Sequence, residues 1–472
     1  MKVMKKFKYI IYSLLGVLGL ASCDLTGNIN DIKPEYVLDE STLIRDGKSA
    51  ELALRGVYQQ WRDKGLTLIL PNMCFLSGSI TGGGIEETPF INNDVRPETN
   101  NIAAYYVSLY RIVNYANTVM EQLEAGKAVG LDSLRRVEMM GECKFHRAMA
   151  NFFLLRAYGQ FYDETSLYGI VLVKKHMQET KAVPRSSVAD VYKLINEDLD
   201  DAIEMAPEYV QNHYSVSRVT AKALKAKVLL YQKEYKKAAD LASEILEEAG
   251  EFSYVMEINY ADIYKNGCFS SEVLFAPYTF GLIERLTLNV NGISPGVYLR
   301  KVADDFVAGK GDMLTGEGFD SRYVATFIKT SGPNNNGKYP NNDYVDNTIS
   351  NTCFYLRLGE VYLIHAEAAI RGYQDYAGAR TSLKAITDRA GYDENYVNTI
   401  SDGDLLETVR KHKLIELVEE NYEDWFDLVR YYKEGDLNIT DVKPTVTSDT
   451  KLILPIPQTA LAGNNLLEQN PL

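Results

Sequence analysis

Six carboxylates lie close together in the last quarter of the chain, at Glu416, Glu419, Glu420, Glu423, Asp424 and Asp427. A glycoside hydrolase needs two carboxyl groups at a set separation, so this stretch could supply such a pair. The spacing of three and four residues is also that of one helix face, where charged side chains usually meet water. We therefore interpret the group as a solvated helix face, with Trp425 and Phe426 on its buried side.

The other residues capable of chemistry do not form a catalytic or metal-binding motif. The five histidines are widely separated, and none lies in an HExxH pattern. The glycine run at 82–84 lacks the Gly-Lys-Ser/Thr of a P-loop, and no GxSxG motif occurs. Isolated cysteines, each able to act as a small buried side chain, lie at Cys74, Cys143, Cys268 and Cys353. Export would permit disulfides among them, but the sequence does not select one of the three possible pairings. We expect a protein that is not an enzyme and that uses no metal or cofactor.

Aromatic residues with amide or carboxylate neighbours could bind a sugar, since a ring stacks on the sugar's apolar face while polar groups bind its hydroxyls. The candidates from this pattern are Phe90, Asn92, Asn291, Tyr298, Tyr339 and Tyr344. Alternatively, the asparagines only form turns and the rings pack loops onto the core. Both tryptophans lie outside these stretches, which keeps a peptide open as the ligand.

The candidates lie in two stretches that lack helical periodicity, at about 71–101 and 278–351. Both are rich in Gly, Asn and Pro, which favour turns. Loops of this length inside a compact domain are usually functional or disordered. We predict two loop-rich insertions that build a binding site on a rigid helical support.

Helical periodicity covers much of the remaining chain, including 102–125 and 132–162. Two segments repeat a pattern in which Tyr precedes Ala by three residues at a turn between helices: Tyr235 with Ala238, and Tyr376 with Ala379. This resembles the turn of tetratricopeptide repeats, although the two copies are too far apart for a tandem array. The predicted fold is mainly α, with tetratricopeptide-like helical hairpins forming a curved support and with few short strands.

The first residues predict export. Four lysines precede an apolar run at 9–20, which is too short to span a bilayer and is typical of a secretory signal. Leu20-Ala21-Ser22-Cys23 resembles the lipobox of bacterial lipoproteins, which implies a signal peptide at 1–22 and a lipidated Cys23 at the start of the mature chain. The alternative is an ordinary cleavage site beside a chance cysteine. With a formal net charge of -14 and no concentrated basic patch, the chain is not expected to bind nucleic acid.

Several stretches from Lys144 onward resemble, in order, the SusD-like (RagB/SusD) nutrient-uptake lipoproteins of the bacterial outer membrane. They include KFHRAMANFFLLRAYGQFYDETSLYGIVLV, VPRSSVADVYKLINEDLDDAIEMAP, YLRLGEVYLIHAEAAIRG and the closing LILPIPQTALAGNNLLEQNPL. One departure is Asn421, where members of the family commonly have glycine.

The resemblance implies one SusD-like domain over 23–472, anchored by lipid to the outer membrane and facing outward. It also implies capture of an oligosaccharide, or a peptide, and delivery to a SusC-like TonB-dependent transporter. A second hypothesis is a helical scaffold lipoprotein that binds only protein partners. The two loop-rich stretches favour the nutrient-binding hypothesis, because a pure scaffold has little use for them.

Overall fold

Helices make up most of the structure, a computed structural model that describes residues 43–177, 182–286, 288, 293–307, 316–328, 336–341 and 347–471. In chain order they are α1 (Gly47–Gln60), α2 (Lys64–Ser77), α3 (Thr88–Ile91), α4 (Asn100–Glu124), α5 (Ser133–Tyr158), α6 (Val188–Met205), α7 (Arg218–Tyr231), α8 (Tyr235–Glu248), α9 (Tyr260–Asn266), α10 (Val297–Val307), α11 (Ser321–Tyr323), α12 (Leu358–Tyr373), α13 (Tyr376–Arg389), α14 (Asp402–Leu417), α15 (Glu423–Glu434), α16 (Ile439–Val442) and α17 (Gln458–Gly463). Short 3-10 turns occupy Ala249–Phe252, Gly267–Phe269, Tyr396–Thr399 and Asp449–Lys451, and a π turn occupies Val324–Ile328. The mainly α prediction is confirmed.

Two small antiparallel sheets complete the described structure. Strand β1 (Ile80–Thr81) pairs with β3 (Ser294–Pro295), and β2 (Val273–Phe275) pairs with β4 (Leu356–Arg357). Within the described ranges, no helix is long and apolar enough to cross a membrane.

Helix α5 lies at the centre of the amino-terminal half, where it packs against α4 and α6. Its first turn is capped by Asp132, whose side chain accepts the backbone N–H groups of Leu134 and Arg135. The carboxyl-terminal part of α5 is buried, because its aromatic and aliphatic side chains contact neighbouring helices on several sides. There the indole Nε1 of Trp61 donates to Nδ1 of His146 at 3.0 Å, so the one polar atom of the buried indole is satisfied.

The two predicted hairpins form and lie against each other. Helices α7 and α8 make one hairpin and α12 and α13 the other, with Ala238 and Ala379 fully buried at the turns. Between the hairpins, α12 packs closely on α8: a Cβ atom at Gly372 would lie 2.9 Å from the backbone nitrogen of Lys236. The absence of a side chain at Gly372 therefore permits this close helix contact.

The first loop-rich stretch is shorter than predicted. Residues 71–77 belong to α2, with Pro71 inside that helix, and the irregular chain starts at Gly78. The reason is burial, since nearly all of α2 lies in the core and tertiary packing outweighs the helix-breaking tendency of one proline. The second stretch also contains a helix, the eleven-residue α10.

Candidate functional site

The two loop-rich stretches meet through the β1–β3 pair. Ile80 lies opposite Pro295, and Thr81 lies opposite Ser294. Beyond the strands, the backbone N–H of Gly296 donates to the carbonyl oxygen of Ser79 at 2.7 Å. A Cβ atom at Gly296 would lie only 2.1 Å from the carbonyl oxygen of Gly78, so this crossing requires glycine. Helix α10 starts at the next residue and is thereby fixed relative to the first stretch.

Lys443, which follows α16, forms hydrogen bonds to the first loop-rich stretch. Its Nζ donates to the carbonyl oxygens of Phe75, at 3.0 Å, and Ile91, at 2.8 Å. Burial lowers the pKa of Lys443 to about 8, because its charged form is partly removed from water. This lysine joins the end of α2 to α3 and holds the irregular segment between them in place.

A cleft of about 390 Å³ opens beside this junction, between α10, α14 and the segment after α15. We call it the Tyr298 cleft; its lining includes Tyr298, Lys301, Glu407, Arg410, Tyr431 and Asp436. Its volume lies in the range of small-molecule sites. The lining combines two tyrosine rings with charged groups, which is the mixture that sugar recognition requires.

Three contacts fix the guanidinium of Arg410 at the cleft. Its Nη1 lies 3.1 Å from Oδ2 of Asp436, its Nη2 pairs with Glu407, and its guanidinium carbon lies 5.1 Å from the centre of the Tyr431 ring. The side chain is buried, yet its Nε has no hydrogen-bond partner among the described residues. The guanidinium is nevertheless fixed by its ion pairs with Asp436 and Glu407 and by its contact with the Tyr431 ring.

Tyr298 contributes both a ring and a hydroxyl group. The side chain is half-buried, with part of its surface packed on the core. Burial raises the pKa of Tyr298, and the Glu407 carboxylate raises it further, so the phenol stays protonated at neutral pH. The cleft can thus offer an aromatic face, a neutral hydroxyl and oriented charged groups to a polyhydroxylated ligand.

Of the four predicted ligand-binding residues that the structure describes, Tyr298 alone lines the cleft. Phe90 is 0% exposed, and Tyr339 is 1% exposed with its hydroxyl donating to the carbonyl oxygen of Glu419 at 2.6 Å. Neither of these two rings can stack on a ligand while buried, so they act as core anchors of their loops. Asn92 is exposed at the end of α3, outside the cleft lining. Asn291 and Tyr344, like Cys23, lie outside the described residues.

The partners of Tyr298 in the cleft were not predicted from the sequence. Glu407 and Arg410 come from α14, and Tyr431 comes from α15. They lie more than 100 residues beyond Tyr298, and local spacing carries no signal that such side chains will converge. The four cysteines of the described ranges are buried and form no disulfide. In those ranges no group of three His, Cys, Asp or Glu side chains is arranged to hold a metal ion.

The interpretation of the carboxylate group as a solvated face is wrong. All six carboxylates are buried. Arginines or lysines pair with four of them, whereas Glu419 accepts a hydrogen bond from Asn336 and Asp424 accepts one from Ser77. Glu416 accepts hydrogen bonds from Arg322 at 3.0 Å, Arg357 at 2.5 Å and Arg389. Although burial alone would raise the pKa of Glu416, the three arginines hold it well below its ordinary value. We call these four residues the Glu416 hub.

Two others of the six carboxylates, Glu419 and Glu420, anchor the second loop-rich stretch. Nζ of Lys338 donates to Oε1 of Glu420 at 2.5 Å, and Nδ2 of Asn336 donates to Oε2 of Glu419 at 2.6 Å. Burial raises the pKa of Glu419 to about 7, so this carboxyl group titrates near neutral pH. Charged contacts therefore hold residues 336–341 on the helical support.

The turn between α14 and α15 contains Asn421 in a left-handed conformation, with φ at 50°. Asparagine tolerates this region better than most residues. Its Nδ2 also donates to the carbonyl oxygen of Tyr355 at 2.8 Å. The departure from the family's usual glycine is thus compatible with the same turn.

Two family models match this chain. One, described as "Starch-binding associating with outer membrane", matches residues 81–230, and the other, described as "SusD family", matches residues 315–472. The chain belongs to the SusD-like family. It is 23% identical to SusD-like protein P2 of Formosa agariphila over 532 residues, covering 99% of this chain and 100% of the relative. A SusD-like protein of Bacteroides ovatus is 21% identical, covering 92% of this chain and 84% of the relative.

Solved structures share the fold of this SusD-like chain. A SusD superfamily protein from Bacteroides thetaiotaomicron aligns with a TM-score of 0.74 at 21% identity, covering 90% of this chain and 100% of the other. A structure described as a laminarin-binding SusD-like protein aligns with a TM-score of 0.69 at 20% identity, covering 90% and 99%. At such identities the comparison establishes the shared architecture and leaves the ligand to be argued from the site.

Proposed function

We propose that this SusD-like chain is a cell-surface lipoprotein that captures an oligosaccharide and delivers it to a SusC-like TonB-dependent outer-membrane transporter. The observation that carries the proposal is the β1–β3 pair, which joins the two loop-rich stretches beside the Tyr298 cleft. Loops that a rigid support holds together, next to a lined cleft, are the usual form of a ligand-binding site.

The chemistry of the cleft supports a sugar. A ring such as that of Tyr298 covers the apolar face of a pyranose, while Arg410 and its carboxylate partners can bind hydroxyl groups. The laminarin-binding structural neighbour makes laminarin a sensible member of the first ligand panel. A peptide is the competing ligand, because paired charges can also bind a peptide backbone.

A glycan and peptide array, probed with residues 24–472, tests ligand capture. We expect binding to one or a few related oligosaccharides, and heat-unfolded protein serves as the control. Binding to peptides alone would overturn the oligosaccharide proposal. The absence of any binding would favour the protein scaffold.

Cell fractionation tests the proposed anchor. Cys23→Ala should release the protein from the membrane fraction, because the lipid-bearing thiol is lost. Cys268→Ala, which removes a buried thiol elsewhere, should stay with the membrane. Retention of an unprocessed Cys23→Ala chain at the membrane would contradict the anchor.

Co-purification from native membranes in mild detergent tests the proposed delivery. We expect a TonB-dependent transporter to accompany the protein. A protein that emerges alone from these membranes would count against a stable complex.

A further inference from the structure

Four aromatic side chains form a cluster away from the Tyr298 cleft. Tyr214 precedes α7, Phe269 ends the 3-10 turn after α9, and Tyr278 and Phe280 follow β2. The ring centres of Tyr214 and Tyr278 are 4.8 Å apart, and Phe269 lies 6.0 Å from each of the other three rings. We call this group the surface aromatic cluster; it shares no residue with the cleft lining.

The cluster presents apolar surface to water. Phe269 is 43% exposed and Tyr278 is 38% exposed. Isolated exposed apolar side chains are common, but a contiguous group of them marks a binding surface more often than chance. Three separate segments of chain converge here to leave rings exposed.

The backbone beneath the rings is held in one conformation. Nη1 of Arg62 donates to the carbonyl oxygen of Tyr278 at 3.4 Å and to that of Glu284 at 3.2 Å. Gly281 donates its N–H to the carbonyl oxygen of Thr348 at 2.8 Å. Rings on such a fixed base lose little conformational entropy when a ligand binds.

The polar groups at the cluster suit a polyhydroxylated ligand. Neither the Tyr214 nor the Tyr278 hydroxyl has a hydrogen-bond partner in the described part of the chain, and Arg62 forms an ion pair with Glu284 beside the rings. Donors and acceptors that border an exposed aromatic surface can bind sugar hydroxyls while a ring covers the sugar's apolar face. A purely apolar partner would leave those hydroxyls without hydrogen bonds.

The angles between the rings restrict the shape of ligand that the cluster can bind. Phe269 makes angles of 88°, 84° and 86° with Tyr214, Tyr278 and Phe280. Such perpendicular rings form a corner, and they cannot lie flat beneath successive units of an extended chain. We propose that the surface aromatic cluster is a second carbohydrate site, which holds one pyranose unit of an oligosaccharide against a corner of aromatic rings. The inference rests on the proposed function, because it assumes that the protein binds glycans.

The test compares glycan arrays and calorimetry for residues 24–472 and for the double variant Phe269→Ala/Tyr278→Ala, with the strongest glycan of the array as the titrated probe. We expect the double variant to show about tenfold weaker affinity at the second binding event of that titration, through loss of ring contact, while the binding event at the Tyr298 cleft is unchanged. The conservative variant Phe269→Tyr/Tyr278→Phe keeps both rings and should restore most of the affinity. Circular dichroism verifies that each variant is folded.

The outcomes separate this inference from the proposed function. If the double variant binds every array glycan as the wild type does, the second site is refuted while glycan capture stands. If the double variant still binds its glycans but no longer co-purifies with the transporter, the cluster is a protein-docking surface and the inference is wrong. An array on which the wild type itself binds no glycan refutes both.

Discussion

Glu416→Gln is the substitution that most directly tests the Glu416 hub. Glutamine keeps the size of the side chain but removes the charge that Arg322, Arg357 and Arg389 share. Each arginine keeps another acidic partner: Asp320 for Arg322, and Glu272 for Arg357 and Arg389. We therefore expect a weakened but folded protein.

The size of the effect follows from the contacts. The glutamine amide nitrogen must face guanidinium donors, so about two charge-assisted hydrogen bonds are lost, each contributing roughly 1.5–3 kcal/mol. Removal of one partner from a buried ion pair typically costs about 3–5 kcal/mol, which gives the same scale. We expect the free energy of unfolding at pH 7 to fall by about 4 kcal/mol.

The pH dependence gives an independent check. The pKa of Glu416 in the folded chain lies well below the ordinary value of 4.5, so the folded state binds fewer protons than the unfolded state at acid pH. The stabilisation is therefore complete above about pH 4.5 and is lost as the pH falls below that value. The Gln variant lacks this titration, and its stability should depend less on pH in the acid range.

Urea unfolding followed by circular dichroism, at pH 7 and at pH 3–5, measures both effects. Glu204→Gln, the same change at an exposed position on α6, should alter stability by less than about 0.5 kcal/mol. A Glu416→Gln protein that is as stable as Glu204→Gln at pH 7 would refute the reasoning.

Three further predictions concern stability and reactivity. Because burial raises the pKa of Glu419 to about 7, the folded state binds more protons than the unfolded state between pH 4.5 and 7, and stability falls as the pH rises through that range. Glu419→Gln should therefore be more stable than the wild type at pH 8, by on the order of 1–3 kcal/mol in urea unfolding; equal stability would contradict the shift. Asn421→Ala should destabilise the protein by about 1–3 kcal/mol, because alanine resists the left-handed conformation, and Asn421→Gly should destabilise it by less. An Asn421→Gly protein that unfolds at a lower temperature than Asn421→Ala would contradict this prediction. In residues 24–472, a thiol reagent should label four cysteines only after denaturation, because burial raises their thiol pKa values; rapid labelling of the native protein would disagree.

The helical part of the fold could be predicted because its signals are local. The periodicity of 102–125 and 132–162 corresponds to α4 and α5 within a few residues. Small residues at Ala238 and Ala379 indicated the hairpin turns, since only small side chains fit where two helices approach closely.

The errors arose where distant residues decide the structure. Pro71 suggests a loop, yet α2 is surrounded by core and continues through it. Helical spacing at Glu416 and Glu420 suggests a solvated face, but the cations that neutralise them come from Lys338, Arg357 and other remote positions. Residue spacing in a single sequence does not indicate which distant residues will become tertiary partners.

The candidate site was predicted only in part, for the same reason. Composition drew attention to the stretch that contains Tyr298, but it could not distinguish the half-buried ring of Tyr298 from a buried ring such as that of Tyr339. Arg410, which lies across the cleft from α10, belongs to a helix with no loop-like signal at all.

Isothermal titration of the array-selected oligosaccharide into wild type and Tyr298→Ala tests the central claim most directly. The claim predicts that loss of the ring weakens binding about tenfold, that Tyr298→Phe retains most of the affinity, and that Tyr115→Ala, an exposed tyrosine on α4, binds as the wild type does. Binding by Tyr298→Ala within twofold of the wild type would contradict a capture site in the Tyr298 cleft.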